Sequence, residues 1–209
     1  ENKNTFWQDA MALEMAQLQE FNTFTDLGKD AKPPPDHLKI RVHFVFAVKP
    51  DGRHKARLVA DGHLTDTPLD SVYSGVVSLR SLRIVIFLAE LNDLELYGAD
   101  VSNAYLEAET REKVYIVGGL GFGELQGHTL LIHKALYGLK SSGKRWHEKL
   151  FDILRAMNFT PSKADSDVWY RRVNDAYKYI AVYVDDLASA SKQPGKIIDE
   201  LTTQFALKL

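Results

Sequence analysis

The chain of 209 residues contains no cysteine, which excludes disulfides, zinc knuckles and thiol nucleophiles. No apolar run reaches the roughly 18 residues that a membrane-spanning helix needs. The opening stretch ENKNTFWQDA is polar and mixed in charge, unlike a secretory leader. It begins at Glu1 rather than Met, and the chain reads as a trimmed or excised piece of a longer polypeptide. A surplus of one charge is also missing. The 26 Lys and Arg against 28 Asp and Glu give a net charge of −2, so any nucleic-acid binding must come from local basic patches. Histidines 37, 43, 54, 63, 128, 133 and 147 show no ligand-like spacing. What remains is 45% hydrophobic and 11% aromatic, enough for a core in one domain or one domain with a lobe.

Residues 5–21 predict a helix with Trp7, Met11, Met15 and Leu18 on one stripe, opened by a capping box of Thr5 and Gln8. Three consecutive prolines make 28–36 a loop. Segments 38–49 and 53–60 read as strands joined by Asp51-Gly52, a strong hairpin signal. A polar, turn-rich segment covers 61–75, and 78–92 reads as a buried helix capped by Ser78. Strands follow at 94–101, 113–117 and 129–133, then an amphipathic helix over 142–158. On that helix Trp146, Leu150, Ile153, Leu154 and Met157 share a face. Strands 166–173 and 177–184 flank a turn at Asn174-Asp175, a third strand follows Asp186, and Pro194 opens a last helix that presents Ile197, Ile198, Leu201 and Phe205 on one side. The mixed order predicts an α+β fold with antiparallel sheet.

The stretch YIAVYVDDLASAS places Asp185 and Asp186 between two apolar runs. Taken alone, the pair reads best as an exposed turn, although a bland hairpin would carry Asn-Gly or Asp-Gly there. Asp100 ends another apolar strand. Carboxylates from two strand ends could converge and hold Mg²⁺ for phosphoryl transfer. Asp100 could equally cap a helix over SNAYLE, and spacing leaves the two readings level. Lys55 and Arg57 share a strand face and could grip a triphosphate. Taken alone, charge protecting an edge strand is the stronger reading. Lys140, Lys144, Arg145 and Lys149 surround Trp146. They could track a nucleic-acid backbone, though the solvated face of an amphipathic helix explains most of them better.

Seven blocks in order nevertheless carry a likeness: WQDAMALEMAQLQEFNTF, VFAVKPDGRHKARLVADG, VVSLRSLRIVIFLA, LELYGADVSNAYLEAE, KVYI, KALYGLKSSGKRWHEKL and YIAVYVDD. Together they make the chain resemble the reverse transcriptase domain of copia-type (Pseudoviridae) LTR retrotransposons over nearly its whole length. The resemblance implies a right-hand polymerase represented by fingers and palm, with an antiparallel palm sheet backed by helices and without thumb or RNase H. Residues 1–93 would be mostly fingers with the start of the palm. Residues 94–209 would be mostly palm, with a fingers segment near 113–145. It implies that Asp100, Asp185 and Asp186, with the Val101 main chain, bind two Mg²⁺ ions, for which Mn²⁺ can substitute. Asp185 would be the main shared ligand with Asp100, and Asp186 would point away.

The same resemblance assigns Lys55, Arg57, Asn103, Ala104, Tyr105 and Ser141 to the incoming nucleotide, with Tyr105 as the aromatic gate against a 2′-hydroxyl. A core aromatic is the plain alternative for Tyr105. Tyr183, Val184, Gly138, Lys140, Lys144 and Arg145 fall to primer and template. The expected activity is RNA-directed DNA polymerisation from dNTPs on a primed RNA or DNA template. The expected setting is the cytoplasm within virus-like particles, with a nuclear stage, no membrane, and other polyprotein domains or a second copy as partners. Ser141 stands where the family usually has Gln, Gly75 where it usually has Pro, and VGGLGFGELQG is unusually Gly-rich. A catalytically weak or inactive fragment that binds nucleic acid or protein is the alternative. A nucleotide cyclase is a weaker one, having no need of KARLVADG or LYGLK.

Overall fold

The computed structural model describes residues 5–64 and 72–208, so the middle of the turn-rich segment expected over 61–75, residues 65–71, lies outside the described residues. Two compact units emerge. One contains the described residues up to 72 together with Tyr105–Arg145, and the other contains Tyr73–Ala104 and the chain from Trp146 onward. Among the described residues, no helix is long and apolar enough to cross a membrane.

The first unit opens with helix α1, Phe6–Glu20, which buries Ala10, Glu14, Met15 and Leu18. The expected capping box does not form. Thr5 has ψ near 1°, outside the extended region that an N-cap needs, and its hydroxyl donates to Asp9 Oδ2 at 2.8 Å. Strands β1 (Phe24–Lys29) and β2 (Leu38–Lys39) follow, so the strand claims Gly28 and Lys29 from the expected loop. Strands β3 (Val42–Val48) and β4 (His54–Ala60) form the predicted hairpin, closed where the Lys49 N–H donates to Arg53 O at 2.9 Å. Strands β6 (Val114–Val117) and β7 (His128–Ile132) join β1 and β2 in a sheet ordered β1-β7-β6-β2. Here β2 runs parallel to β6, an exception to the expected antiparallel pairing. Leu18, Leu58, Ile116, Leu130 and Leu136 are fully buried in this unit's core.

The second unit is built on a six-stranded antiparallel sheet ordered β12-β5-β11-β10-β9-β8. Its strands are β5 (Glu95–Val101), β8 (Thr160–Pro161), β9 (Val168–Val173), β10 (Ala176–Tyr183), β11 (Asp186–Ser191) and β12 (Leu207–Lys208). Helix α2, Leu79–Leu91, has the predicted cap: the Ser78 side chain accepts from the Ser81 N–H at 3.2 Å. The helix is not buried, however. Only Val85 and Ala89 are, while Ile84 at 51%, Phe87 at 64% and Leu91 at 68% remain exposed. One stripe packs against the sheet, and the apolar residues around the rest of the helix are left exposed among the described residues. The short helix α3, Ala104–Glu107, follows β5. Helix α4, Ser142–Ala156, buries Trp146, Leu150, Phe151 and Leu154, and Phe151 meets the buried Trp169 edge-on at 4.7 Å. Helix α5, Pro194–Thr202, begins at its proline and buries Ile197, Ile198 and Leu201.

Candidate active-site residues

The acids come together through strand register. In the β11–β5 ladder Asp186 lies opposite Asp100, and residues directly opposite in antiparallel strands present side chains on one face. Asp100 is thus a strand residue and not a helix cap. Asp185 sits in the two-residue turn between β10 and β11, bracketed by the Tyr183–Asp186 pair. Its carbonyl accepts from the Val101 N–H at 2.8 Å. The ladder therefore pairs Asp186, rather than Asp185, with Asp100. Asp186 is exposed and Asp185 half-buried. The Lys208 Nζ lies 3.9 Å from Asp100 Oδ1, with side chains 65% and 44% exposed. So open a pair holds weakly and yields readily to salt or to a competing cation.

These donors suit Mg²⁺, which takes carboxylate oxygens. Among the described residues, however, no three Asp, Glu or His side chains are gathered as a ready metal cluster. The fit is one of donor chemistry and strand placement.

The turn itself is strained. Val184 has φ of 57°, a left-handed conformation that a β-branched residue rarely adopts. With positive φ at only its first central residue, the turn is of the II′ kind, where Gly is usual. Strain of this sort costs about 1–3 kcal/mol. The Trp146 indole Nε1–H donates to Val184 O at 2.7 Å.

The basic pair lies on β4, in the first unit. Lys55 and Arg57 are half-buried on one face while Ala56, Leu58 and Ala60 fill the core on the other. The Arg57 guanidinium stacks over the Tyr137 ring at 5.5 Å, and Tyr137 in turn packs on Tyr105 at 4.8 Å. Tyr105 is half-buried, consistent with a packing role as well as an exposed edge. Asn103 has φ of 53°, which Asn tolerates, and Ala104 is buried. Sequence reasoning missed Glu14. This buried carboxylate accepts the Leu58 N–H at 2.9 Å, satisfying a β4 edge donor. Burial pushes its pKa up, against the hydrogen bond and the Lys55 and Arg57 charges. The available signal was a charged residue at a helix position beside Met15 and Leu18.

Burial sorts the residues of the 138–145 segment. Gly138 has φ of 88°, and a Cβ there would meet Ala60 O at 2.0 Å. The Ala60 N–H donates to Tyr137 O at 2.7 Å, so this turn lies against the end of β4. Ser141 is buried, and its backbone and hydroxyl donate to Glu112 Oε1 at 3.1 and 2.5 Å. Arg145 is 6% exposed, so it does not belong to the solvated face, whereas Lys140 and Lys144 are half-exposed. Tyr183 is 54% exposed at the strained turn. In the second unit a Cβ at Gly75 would approach Asp167 Oδ2 to 2.5 Å. Asp167 is buried and bonded to His147 Nε2 at 2.8 Å. With the carboxylate held there, the ring of the family's usual proline would not fit without a shift.

The sequence profile described as "Reverse transcriptase (RNA-dependent DNA polymerase)" matches residues 25–209. The chain belongs to the reverse transcriptase family. Its relatives bear out the copia-type kinship. The reverse transcriptase domain is 30% identical over 95% of its length to the retrovirus-related Pol polyprotein from transposon TNT 1-94 of Nicotiana tabacum, covering 16% of that protein. It is 31% identical over 99% of its length to the Pol polyprotein from transposon RE1 of Arabidopsis thaliana, covering 15%. It is 31% identical over 96% of its length to the Transposon Ty1-BL Gag-Pol polyprotein of Saccharomyces cerevisiae, covering 12%. The chain thus spans only a small part of the relatives it matches.

Proposed function

We propose that this reverse transcriptase domain performs template-directed, two-metal nucleotidyl transfer from a dNTP to a primer 3′-hydroxyl. The observation that carries the reading is the register that sets Asp186 opposite Asp100 while the Asp185 carbonyl is held by the Val101 N–H. Acids remote in sequence meet at one end of one sheet. Bound Mg²⁺, or Mn²⁺ in its place, would lower the pKa of the primer hydroxyl and stabilise the departing pyrophosphate.

The chain's own residues do the rest. Asp100, Asp185 and Asp186, with the Val101 main chain, supply hard oxygen ligands. Lys55 and Arg57 neutralise the triphosphate, the Arg57 guanidinium lying over the Tyr137 ring. Tyr105, with Asn103 and Ala104, bounds the sugar and excludes a 2′-hydroxyl. Tyr183 and Val184 flank the primer end, and Gly138, Lys140 and Lys144 serve the template, with the buried Arg145 behind them. In this reading residues 1–93 are mostly fingers and 94–209 mostly palm with a fingers segment near 113–145, although the compact units divide at 72/73, 104/105 and 145/146. Two findings favour the second reading, a non-catalytic binding module: Ser141 is engaged with Glu112, and the described acids form no ready cluster.

Primer extension on a primed RNA template separates the two. The wild-type chain should extend with Mg²⁺ or Mn²⁺, and Asp185→Asn should reduce the rate by at least about 100-fold, because the lost charge is one the ions require. Equal extension by Asp185→Asn would overturn the metal role given to Asp185, and no extension by the wild-type chain would favour the binding module.

A further inference from the structure

We propose that Trp146 is a positioning residue for the Val184–Asp185 turn and that it sets the affinity of the aspartate site for divalent cations. The inference rests on the two-metal reading of those aspartates. Its structural half stands on the turn alone.

Both carbonyls of the turn are clamped. Val184 O accepts from Trp146 Nε1–H at 2.7 Å, and Asp185 O accepts from the Val101 N–H at 2.8 Å, on the strand that carries Asp100. The clamps act on main-chain atoms. Together they fix the peptide planes on either side of Asp185, and with them the direction in which its side chain leaves the chain.

The choice of side chain has a chemical reason. A II′ turn becomes a I′ turn when its central peptide flips. The indole N–H is a donor only, so a flipped peptide would turn its own N–H toward another donor and leave both unpaired. A serine or glutamine could accept as readily as donate and would not discriminate. Trp146 is 1% exposed, and Phe205, itself 3% exposed, meets its ring edge-on at 5.2 Å, so the donor is held in place. The need for such a lock comes from Val184, whose φ of 57° is unfavourable for a β-branched residue. Without the indole, the turn can relax toward conformations that re-aim Asp185.

Two readouts test this on the 209-residue chain. The first is metal-independent. Hydrogen exchange followed by ¹H–¹⁵N NMR should show the Trp146 indole N–H strongly protected. Exchange at the rate of an exposed indole would overturn the hydrogen bond. The second is Mn²⁺ binding followed by electron paramagnetic resonance. Trp146→Phe keeps an aromatic ring against Phe205 but removes the donor, and should weaken Mn²⁺ binding about fivefold to tenfold. Phe205→Leu disturbs the same packing but keeps the indole, and should shift affinity less than about twofold. In a Val184→Gly background, where positive φ is unstrained, Trp146→Phe should also change affinity less than about twofold, which is the non-additivity of coupled residues.

If wild type binds Mn²⁺ and Asp185→Asn abolishes it, yet Trp146→Phe binds like wild type, the inference fails and the two-metal reading stands. Equal weakening by Trp146→Phe and Phe205→Leu would reduce Trp146 to core packing and likewise overturn it. If wild type binds no Mn²⁺, the metal half of the inference falls together with the two-metal reading, and the exchange measurement alone decides the turn lock.

Discussion

Glu14 is a single carboxylate set among Met15, Leu18 and the core face of β4, and burial raises its pKa above the usual 4.5. The folded chain therefore binds a proton there more readily than the unfolded chain does. Below the ordinary carboxylate range both states are protonated and no penalty exists. As pH rises through the raised value, the folded state must either ionise in a poor environment or hold a proton that the unfolded state releases, and stability is lost. Glu14→Gln keeps an acceptor for the Leu58 N–H and removes the charge. Its urea midpoint should gain on that of wild type as pH rises from about 4 to about 7. A pH-independent difference would contradict the assignment. Tyr105 makes a separate prediction. If its ring bounds the sugar, Tyr105→Val should raise ribonucleotide incorporation relative to deoxyribonucleotide by on the order of tenfold or more. Unchanged discrimination would leave Tyr105 as a packing residue. At this scale the sequence exposes charge and chemistry but not partners. Nothing local announces that Glu14 caps a β4 edge donor, that Trp146 reaches the Val184 carbonyl, or that Ser141 turns inward to Glu112, because each contact spans many residues.

Elements were far more legible, since their signals are local. The hairpin of β3 and β4 about Asp51-Gly52, the Ser78 cap and the Pro194 start all appear where the pattern puts them. Failures occurred where local chemistry had a competitor or where burial depended on neighbours. Asp9 takes the Thr5 hydroxyl, and α2 is apolar on more of its surface than one sheet can cover. The left-handed Val184 runs against its own residue type, so no sequence rule finds it. Two glycines test how turns hold these elements. Gly52 has φ of 82° with nothing within 4 Å of a Cβ, so Gly52→Ala should cost about 1 kcal/mol from backbone strain alone. Gly138 adds a 2.0 Å collision with Ala60 O, so Gly138→Ala should cost more than about 2 kcal/mol. Equal urea midpoints for the two variants would contradict the close approach of the Tyr137–Gly138 turn to β4.

At the scale of the whole molecule, the chain folds as two compact units, one carrying the candidate aspartates and the other Lys55, Arg57 and Tyr105. The mixed α and β composition and the antiparallel sheet were legible from element order, whereas the short edge strands β8 and β12 were not. Family membership came from seven blocks in sequence, none decisive alone. The placement of Asp186, rather than Asp185, opposite Asp100 was not legible, because one residue of register reverses which acid shares a face. The central claim is that acids from two distant strands make one template-directed catalytic site. The most direct test is single-nucleotide addition to a primed RNA template, with each dNTP offered separately in Mg²⁺, by wild type and by Asp100→Asn. The prediction is addition of only the complementary nucleotide by wild type, and loss of that addition in Asp100→Asn. Addition that ignores the template base, or that survives Asp100→Asn unchanged, would contradict it.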